Sequence, residues 1–340
     1  MGHGKATLPW PGEVSATLIP LDEIVRARER ISAHVHRTPT WRSTTLSERF
    51  GTNVYLKCEL FQKTGSFKPR GTFNQLLTAI AEAGADRFVG VSGGNFAQAL
   101  AYAGTTLGVE TTVVMAASTP AHYVSATRGY GATVEFAPDV TAAFARVDSL
   151  AAEGATIAHP FDRPSMMAGN GTLGMEIVED VPDLTDVFVS VGGGGLITGV
   201  GSAIKAMRPE ARIWAVETEG ADVLSRSLAA GGPQRMAPTS LARTLGSPYL
   251  AAAAYDFAAA NVENALVTTD RMAYDALLFL LERAKVVPEL AAACTLAALE
   301  GIREREGGRF GWNEHVVLLL CGGNVSPEDL VHYREEFGTH

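Results

Sequence analysis

Cysteine is scarce in this chain of 340 residues: Cys58, Cys294 and Cys321 stand at irregular intervals. An odd, unevenly spaced set offers neither a disulfide framework nor a zinc pattern. A reducing, cytoplasmic setting is the expectation. Positive charge is in deficit. With 28 Lys and Arg against 37 Asp and Glu, the net charge is −9. That leaves no electrostatic basis for nucleic acid or an anionic membrane as partner. Long apolar runs are missing too: stretches such as 316–320 fall far short of the roughly 20 residues a membrane helix needs. Residues 1–14 lack an apolar leader core, so no signal peptide is read. There is no fixed-period repeat and no long low-complexity segment.

What is present is apolar and rich in glycine. Hydrophobic residues make up 46% and charged residues 19%, with 35 glycines. This is enough for a sizeable core and argues against disorder. The length suits one large domain or two ordinary ones. Strand-like runs at 53–57, 87–91, 111–115, 133–136, 186–191, 212–216, 265–268 and 315–320 alternate with amphipathic stretches. Such stretches include 22–35, 72–83, 96–107, 140–152, 197–207, 271–285 and 291–305. The alternation predicts mostly parallel sheets covered by helices. The strands lack polar alternation, as befits burial on both faces.

In such sheets ligands bind beyond the carboxyl ends of strands. Three predicted strands end in polar or glycine-rich turns: Ser92-Gly93-Gly94-Asn95, Gly192-Gly193-Gly194-Gly195 and Cys321-Gly322-Gly323-Asn324. Together they suggest one composite site. Four consecutive glycines would weaken a regular element. At a strand-to-helix junction they let backbone N–H groups close on an anion, and a phosphate is the natural guest. A plain tight turn is the bland alternative. A dinucleotide fingerprint is another, since Gly193, Gly195 and Thr198 nearly follow the glycine spacing and Glu217 ends the next strand. The third glycine of that fingerprint is replaced, and the loop alone does not separate a nucleotide from a cofactor phosphate.

Lys68 makes the separation. On composition a lone lysine is a solvated charge. This one sits in Gln62, Thr64-Gly65-Ser66-Phe67-Lys68 and Arg70-Gly71, with Pro69 suited to a first helical turn. The string resembles the lysine motif of the serine/threonine dehydratase family of fold-type II pyridoxal-phosphate (PLP) enzymes, which also contains serine racemase. The resemblance continues in order through Ser92 to Gln98, Ala168-Gly169-Asn170-Gly171-Thr172, Val191 to Leu196, and Leu320 to Asn324. It covers roughly residues 20 to 330.

The resemblance implies two three-layer α/β domains of tryptophan-synthase-β type with the cofactor in the cleft between them. The small domain is expected at 52–155 and the large one at 1–51 and 156–340. PLP would be held by Phe67, Lys68, Asn95, Gly192, Gly193, Gly194, Gly195 and Cys321. Lys68 would be the catalytic residue, carrying the cofactor as a Schiff base and taking the substrate's Cα proton. Ser92, Gly93, Gly94, Asn95 and Phe96 would meet an amino-acid substrate. Phe96 beside the carboxylate loop would favour a substrate bulkier than serine.

Cys321 matches the family position where Ser or Cys contacts the pyridine nitrogen, although a free cysteine is usually a small buried hydrophobe. A neutral thiol does not pair with a pyridinium as a carboxylate would. The ring is then a moderate electron sink, which suits β-elimination.

Some positions depart from the family pattern. Gly93 stands where a second Ser is frequent, Phe96 where His is frequent, Asn170 for Gln, and Leu290 for the Pro after Glu289. Some members bind a divalent cation through a Glu, a carbonyl and an Asp. Glu217 and Ala221 match the first two, but Val223 occupies the acidic position, which leaves metal binding open. Glu289 lies either near the cofactor or in a surface salt bridge. The remaining histidines are read as surface or capping groups. About fifteen residues follow Asn324, so the added regulatory domain of biosynthetic threonine deaminases is not expected.

The reaction implied is dehydration and deamination of a β-hydroxy amino acid such as L-threonine or L-serine to a 2-oxo acid and ammonia, by a homo-oligomer (dimer or tetramer). Alternatives are a racemase or β-replacement synthase on the same fold, or a PLP-binding regulatory protein without turnover. A racemase of this family needs a proton donor on the second face of Cα. The Ser that supplies it falls on Gly93, which has no side chain.

Overall fold

Apolar residues on successive strand positions bury both faces of each sheet, and the helices between them supply the cover. A computed structural model of the chain describes residues 18–306 and 310–338. Residues 1–14, read above for a leader, lie outside the described residues. The chain begins with α1 (Leu21–Ile31), β1 (Thr40–Arg42), α2 (Thr44–Phe50), β2 (Asn53–Cys58) and α3 (Lys68–Ala83). There follow β3 (Arg87–Val91), α4 (Asn95–Leu107), β4 (Glu110–Ala116), α5 (Ala121–Gly129), β5 (Thr133–Ala137), α6 (Val140–Ala152), β6 (Thr156–Ile157) and α7 (Pro164–Asp180). The rest is β7 (Asp186–Ser190), α8 (Gly195–Met207), β8 (Arg212–Thr218), α9 (Val223–Ala230), α10 (Ala252–Asn261), β9 (Val262–Thr268), α11 (Asp270–Phe279), α12 (Leu290–Glu306), β10 (His315–Leu320) and α13 (Pro327–Phe337).

The strands form two sheets, ordered β1-β2-β10-β7-β8-β9 and β5-β4-β3-β6. Every pairing is parallel except β1 with β2. Alternation across the smaller sheet is clear. Phe88, Val113 and Met115 face a core shared with Phe73, Leu76 and Leu100 of α3 and α4. Val89 and Val114 face the opposite core, with Ala143, Val147 and Leu150 of α6. The larger sheet has one continuous core.

The expected limit at residue 52 cuts across the sheets. β2 lies inside 52–155, yet it pairs with β10 over six residues in the larger sheet, and β6 at 156–157 joins the smaller one. The order of strands along a chain does not reveal which sheet each one joins. Helix starts follow local chemistry. The side chains of Ser43, Asp139, Thr269 and Ser326 each accept a backbone N–H of the helix they precede.

Helix α7 was not anticipated as a helix. It carries Gly169, Gly171 and Gly174 and is buried over most of its length, so it shows little amphipathic period. The glycines serve packing: a Cβ on Gly169 would lie 2.4 Å from the carbonyl oxygen of Arg70 in α3.

Candidate active site

The chain enters α3 through a constrained approach. Thr64 has φ +61° and Gly65 φ +73°. A β-branched residue in that region costs on the order of 1–3 kcal/mol and persists only where its surroundings fix it. Here they do. Asn324 Nδ2 donates to the Thr64 carbonyl at 2.7 Å, and Gly323 N–H donates to that of Gly65 at 2.9 Å. Ser66 bridges Gly322, and Phe67 N–H donates to the Cys321 carbonyl at 3.0 Å. The Lys68 segment is therefore tied along the turn that follows β10.

Lys68 opens α3, with Pro69 in its first turn. Its Nζ donates to the carbonyl of Pro160 at 2.8 Å. Burial pushes the ammonium down to about 8, partly opposed by the nearby Glu289 carboxylate.

Lys68 faces a cavity of about 300 Å³. The same cavity is lined by Ser92 to Phe96, by all four glycines from Gly192 to Gly195, and by Cys321. The three strand-end turns picked out by sequence thus meet at one place, with Phe67 beside them.

The tetraglycine turn joins β7 to α8. Gly194, at φ +92°, is the N-cap. A Cβ on Gly193 would sit 2.4 Å from the Phe161 ring, one on Gly194 2.2 Å from Ala254 Cβ, and one on Gly195 2.5 Å from the Phe161 carbonyl oxygen. The glycines are demanded by protein neighbours as well as by any anion.

Asn95, at the start of α4, has both ends of its amide engaged. Its Nδ2 donates to the two carboxylate oxygens of Glu289 at 2.9 and 3.2 Å, and its Oδ1 accepts from Asn324 at 2.9 Å. Thr244 also donates to Glu289, at 2.9 Å. Glu289 is 6% exposed, so it belongs to the cavity and not to a surface salt bridge. Burial raises its carboxyl above the usual range, opposed by Asn95, Thr244 and Lys68.

Cys321 is 4% exposed, and burial holds its thiol well above the ordinary value, so it stays neutral. Its Sγ lies 3.8 Å from the Ala291 carbonyl and 4.0 Å from Ser190 Oγ. Phe96 is only 2% exposed, and its ring packs beneath Gly90 in the core of the smaller sheet. Gly93 is crowded: a Cβ there would lie 2.7 Å from Thr119 Oγ1.

No signal in the sequence marks Pro160 or Thr244. His159, expected with the other histidines at the surface or as a cap, does cap a turn, but buried. Nδ1 accepts from the backbone N–H groups of Phe161 and Asp162 at 3.2 and 2.8 Å. Burial pushes the imidazole down to about 3. With Nδ1 accepting, the proton sits on Nε2, 3.0 Å from the Tyr249 hydroxyl. No spacing rule marks such residues, because a loop 90 positions away supplies the partner.

Glu217 accepts from the N–H groups of Leu224 and Ser225 at 2.7 and 2.8 Å and from Ser225 Oγ at 2.7 Å, which caps α9. Burial pushes its carboxyl up to about 7. Among the described residues no group of three or more His, Cys, Asp or Glu is arranged to hold a metal ion.

Residues 31–322 match the family model described as pyridoxal-phosphate dependent enzyme. The chain belongs to that family. It is 36% identical to the L-threonine ammonia-lyase of Thermotoga maritima, over 91% of this chain and 76% of that one. It is also 36% identical to the phenylserine dehydratase of Ralstonia pickettii, over 92% of this chain and 95% of the relative. Among solved structures, maize serine racemase superposes with a TM-score of 0.86 at 30% identity, covering 93% of this chain and 96% of that one. The fold is therefore PLP fold type II, and the enzyme is PLP-dependent.

The residues present fit that cofactor. A turn of four glycines opening a helix suits a phosphate. A half-buried lysine with a depressed pKa suits an amine that must be neutral to bond a carbonyl carbon.

Proposed function

We propose that this enzyme dehydrates and deaminates a β-hydroxy amino acid, giving a 2-oxo acid and ammonia. One observation carries the reading: Lys68, the tetraglycine turn, the Ser92 turn and Cys321 line a single cavity. When bound, PLP supplies an electron sink for charge developing at the substrate's Cα.

This chain's own residues would do the following. Lys68 anchors the cofactor and moves the Cα proton, a task that a pKa near neutrality favours. Gly192 to Gly195 hold the phosphate at the N-terminus of α8. The turn Ser92 to Phe96, at the N-terminus of α4, holds the substrate carboxylate. Cys321, a neutral thiol lining the same cavity, would stand at the ring-nitrogen side and would offer the ring no charged partner. Glu289 and Thr244 fix Asn95. The substrate loses its β-hydroxyl as water, and one water re-enters when ammonia leaves, so amino acid becomes oxo acid plus ammonia.

Maize serine racemase is a close structural match, so racemisation is the second reading. Gly93 speaks against it, having no donor of its own and no room for one beside Thr119. A homo-oligomer in the cytoplasm fits the family resemblance. Its three cysteines are free and buried, and among the described residues no helix is long and apolar enough to cross a membrane.

Purified holoenzyme incubated with L-serine or L-threonine in deuterated water tests the assignment. Oxo acid and ammonia should form with little D-isomer, and Lys68→Ala should abolish both. Substantial D-isomer with little oxo acid would overturn it.

A further inference from the structure

Resting on the elimination reading, we propose that the outer part of the same cavity is a subsite for an apolar β-substituent. The preferred substrates are then β-hydroxy amino acids carrying an aryl or branched alkyl group.

The smaller sheet sets the distances. In the order β5-β4-β3-β6, the carboxyl ends of β3 and β5 are two strand spacings apart, roughly 10 Å. The first leads to the Ser92 turn, and the second leads to the start of α6. An amino acid anchored at the Ser92 turn thus has α6 as the far wall of its cavity.

That wall is apolar. Val140 and Phe144, one turn apart on α6, both line the cavity, and Val140 is 47% exposed. Tyr123 of α5 lines it too, with its hydroxyl committed to the Asn324 carbonyl at 3.1 Å. Phe161, Leu245 and Pro248 line the cavity as well, the first two beside Gly193 and Gly192 of the tetraglycine turn. Neither Val140 nor Phe144 offers a hydrogen-bonding side-chain group to a polar substituent. Phe96, at the anchoring turn, spends its ring on the domain core.

Among the described residues, Lys68, Glu289 and Arg243 are the Lys, Arg, Asp or Glu side chains of the lining. Glu289 is held by Asn95 and Thr244. A hydroxymethyl or methyl substituent would leave the α6 wall in water, whereas an aryl group would cover it. Discrimination of about 10–200-fold for each added methylene is the scale available to such a pocket. Arg243 carries the rival, a substrate with a second carboxylate.

The test compares kcat/KM of the holoenzyme for L-serine, L-threonine, 3-phenylserine and 3-hydroxyaspartate. 3-Phenylserine should exceed L-serine by tenfold or more. Phe144→Ala should cut the phenylserine-to-serine ratio by tenfold or more. Val140→Thr, an isosteric change at an exposed position, should lower the ratio as well. Serine or hydroxyaspartate as the best substrate, or a ratio unmoved in both variants, would overturn the proposal.

Failure of the elimination reading would look different, since no substrate would yield oxo acid. Affinities of non-eliminating L-phenylalanine, L-alanine and L-aspartate, read from the holoenzyme's visible absorbance, then decide the subsite. Phenylalanine binding at least tenfold tighter than the other two supports it. Equal affinities, or aspartate tightest, refute it.

Discussion

Arg70 stands two residues beyond Lys68 and is 1% exposed, so its removal should be felt both in the fold and in the site. Its guanidinium makes two bidentate pairs. With Glu59 the distances are 2.8 and 2.8 Å; with Glu176 they are 2.8 and 2.9 Å. Arg70→Met keeps much of the volume and strands the carboxylates. They are not stranded equally. Glu176 keeps Lys57 Nζ at 2.8 Å, while Glu59 keeps only the Thr38 hydroxyl among the described residues.

Breaking a buried pair by deleting one partner costs about 3–5 kcal/mol. At about 2.1 cal/mol/K per residue, unfolding 340 residues carries an entropy near 0.7 kcal/mol/K, so Tm should fall roughly 4–7 °C. Adding Glu59→Gln should restore roughly 2 kcal/mol or more, and Glu176→Gln clearly less.

The pH dependence has a sign. In the native protein the Glu59 carboxyl is depressed: its burial is outweighed by Arg70, with help from Thr38 and Lys57. Its contribution is therefore present above the unfolded value and is lost as pH falls through the folded one. In Arg70→Met burial acts unopposed by the guanidinium and raises the same carboxyl. Protonation then stabilises the folded form, so the deficit should shrink between pH 8 and 5.5. Calorimetry of the holoenzyme and its variants at both pH values reads this. A deficit under about 1 kcal/mol, or one identical at the two pH values, would refute the reasoning.

Labelling of Lys68 in apoenzyme by an amine-selective reagent, followed by peptide mass, should rise with pH and level off just above 8; an ordinary lysine keeps gaining reactivity to beyond 10. Gly194→Ala meets both a positive φ and Ala254, so it should lower the thermal stability of apo and holo forms alike by roughly 2–4 kcal/mol; an apo form of unchanged stability would return the glycine to the phosphate alone. Cys321→Ser should retain substantial elimination, whereas Cys321→Asp should divert product toward transamination, measured as oxo acid formed against aminated cofactor. Gly93→Ser combined with Thr119→Ala, which clears the hydroxyl 2.7 Å away, should raise D-isomer formation relative to elimination, while Gly93→Ser alone should raise it less.

The central strands were legible because both of their faces are buried; the edge strands β5 and β9 are less so. The run 315–320 has five consecutive apolar positions after His315, and β10 occupies all six. Runs of two or three residues carry no such period. β1 and β6 were missed for that reason, as was α7, whose glycines erase the helical pattern.

The site divides along the same line. Glycine turns and Lys68 announce themselves because backbone geometry restricts which residue types fit there. Pro160 acts on Lys68 through its carbonyl, which every residue possesses, so composition gives no hint of it. His159 shapes that stretch: its imidazole accepts the N–H groups of the two residues after Pro160, and Gln75 of α3 accepts His159 N–H at 2.9 Å. The lysine and the loop that receives its amine are thus clamped to one helix, Lys68 at its first turn and Gln75 two turns later. Such a device depends on where α3 crosses the 158–162 loop, a property of the tertiary fold. Positions that act through the main chain, or through partners 80 to 90 residues distant, become visible only once the two sheets are assembled.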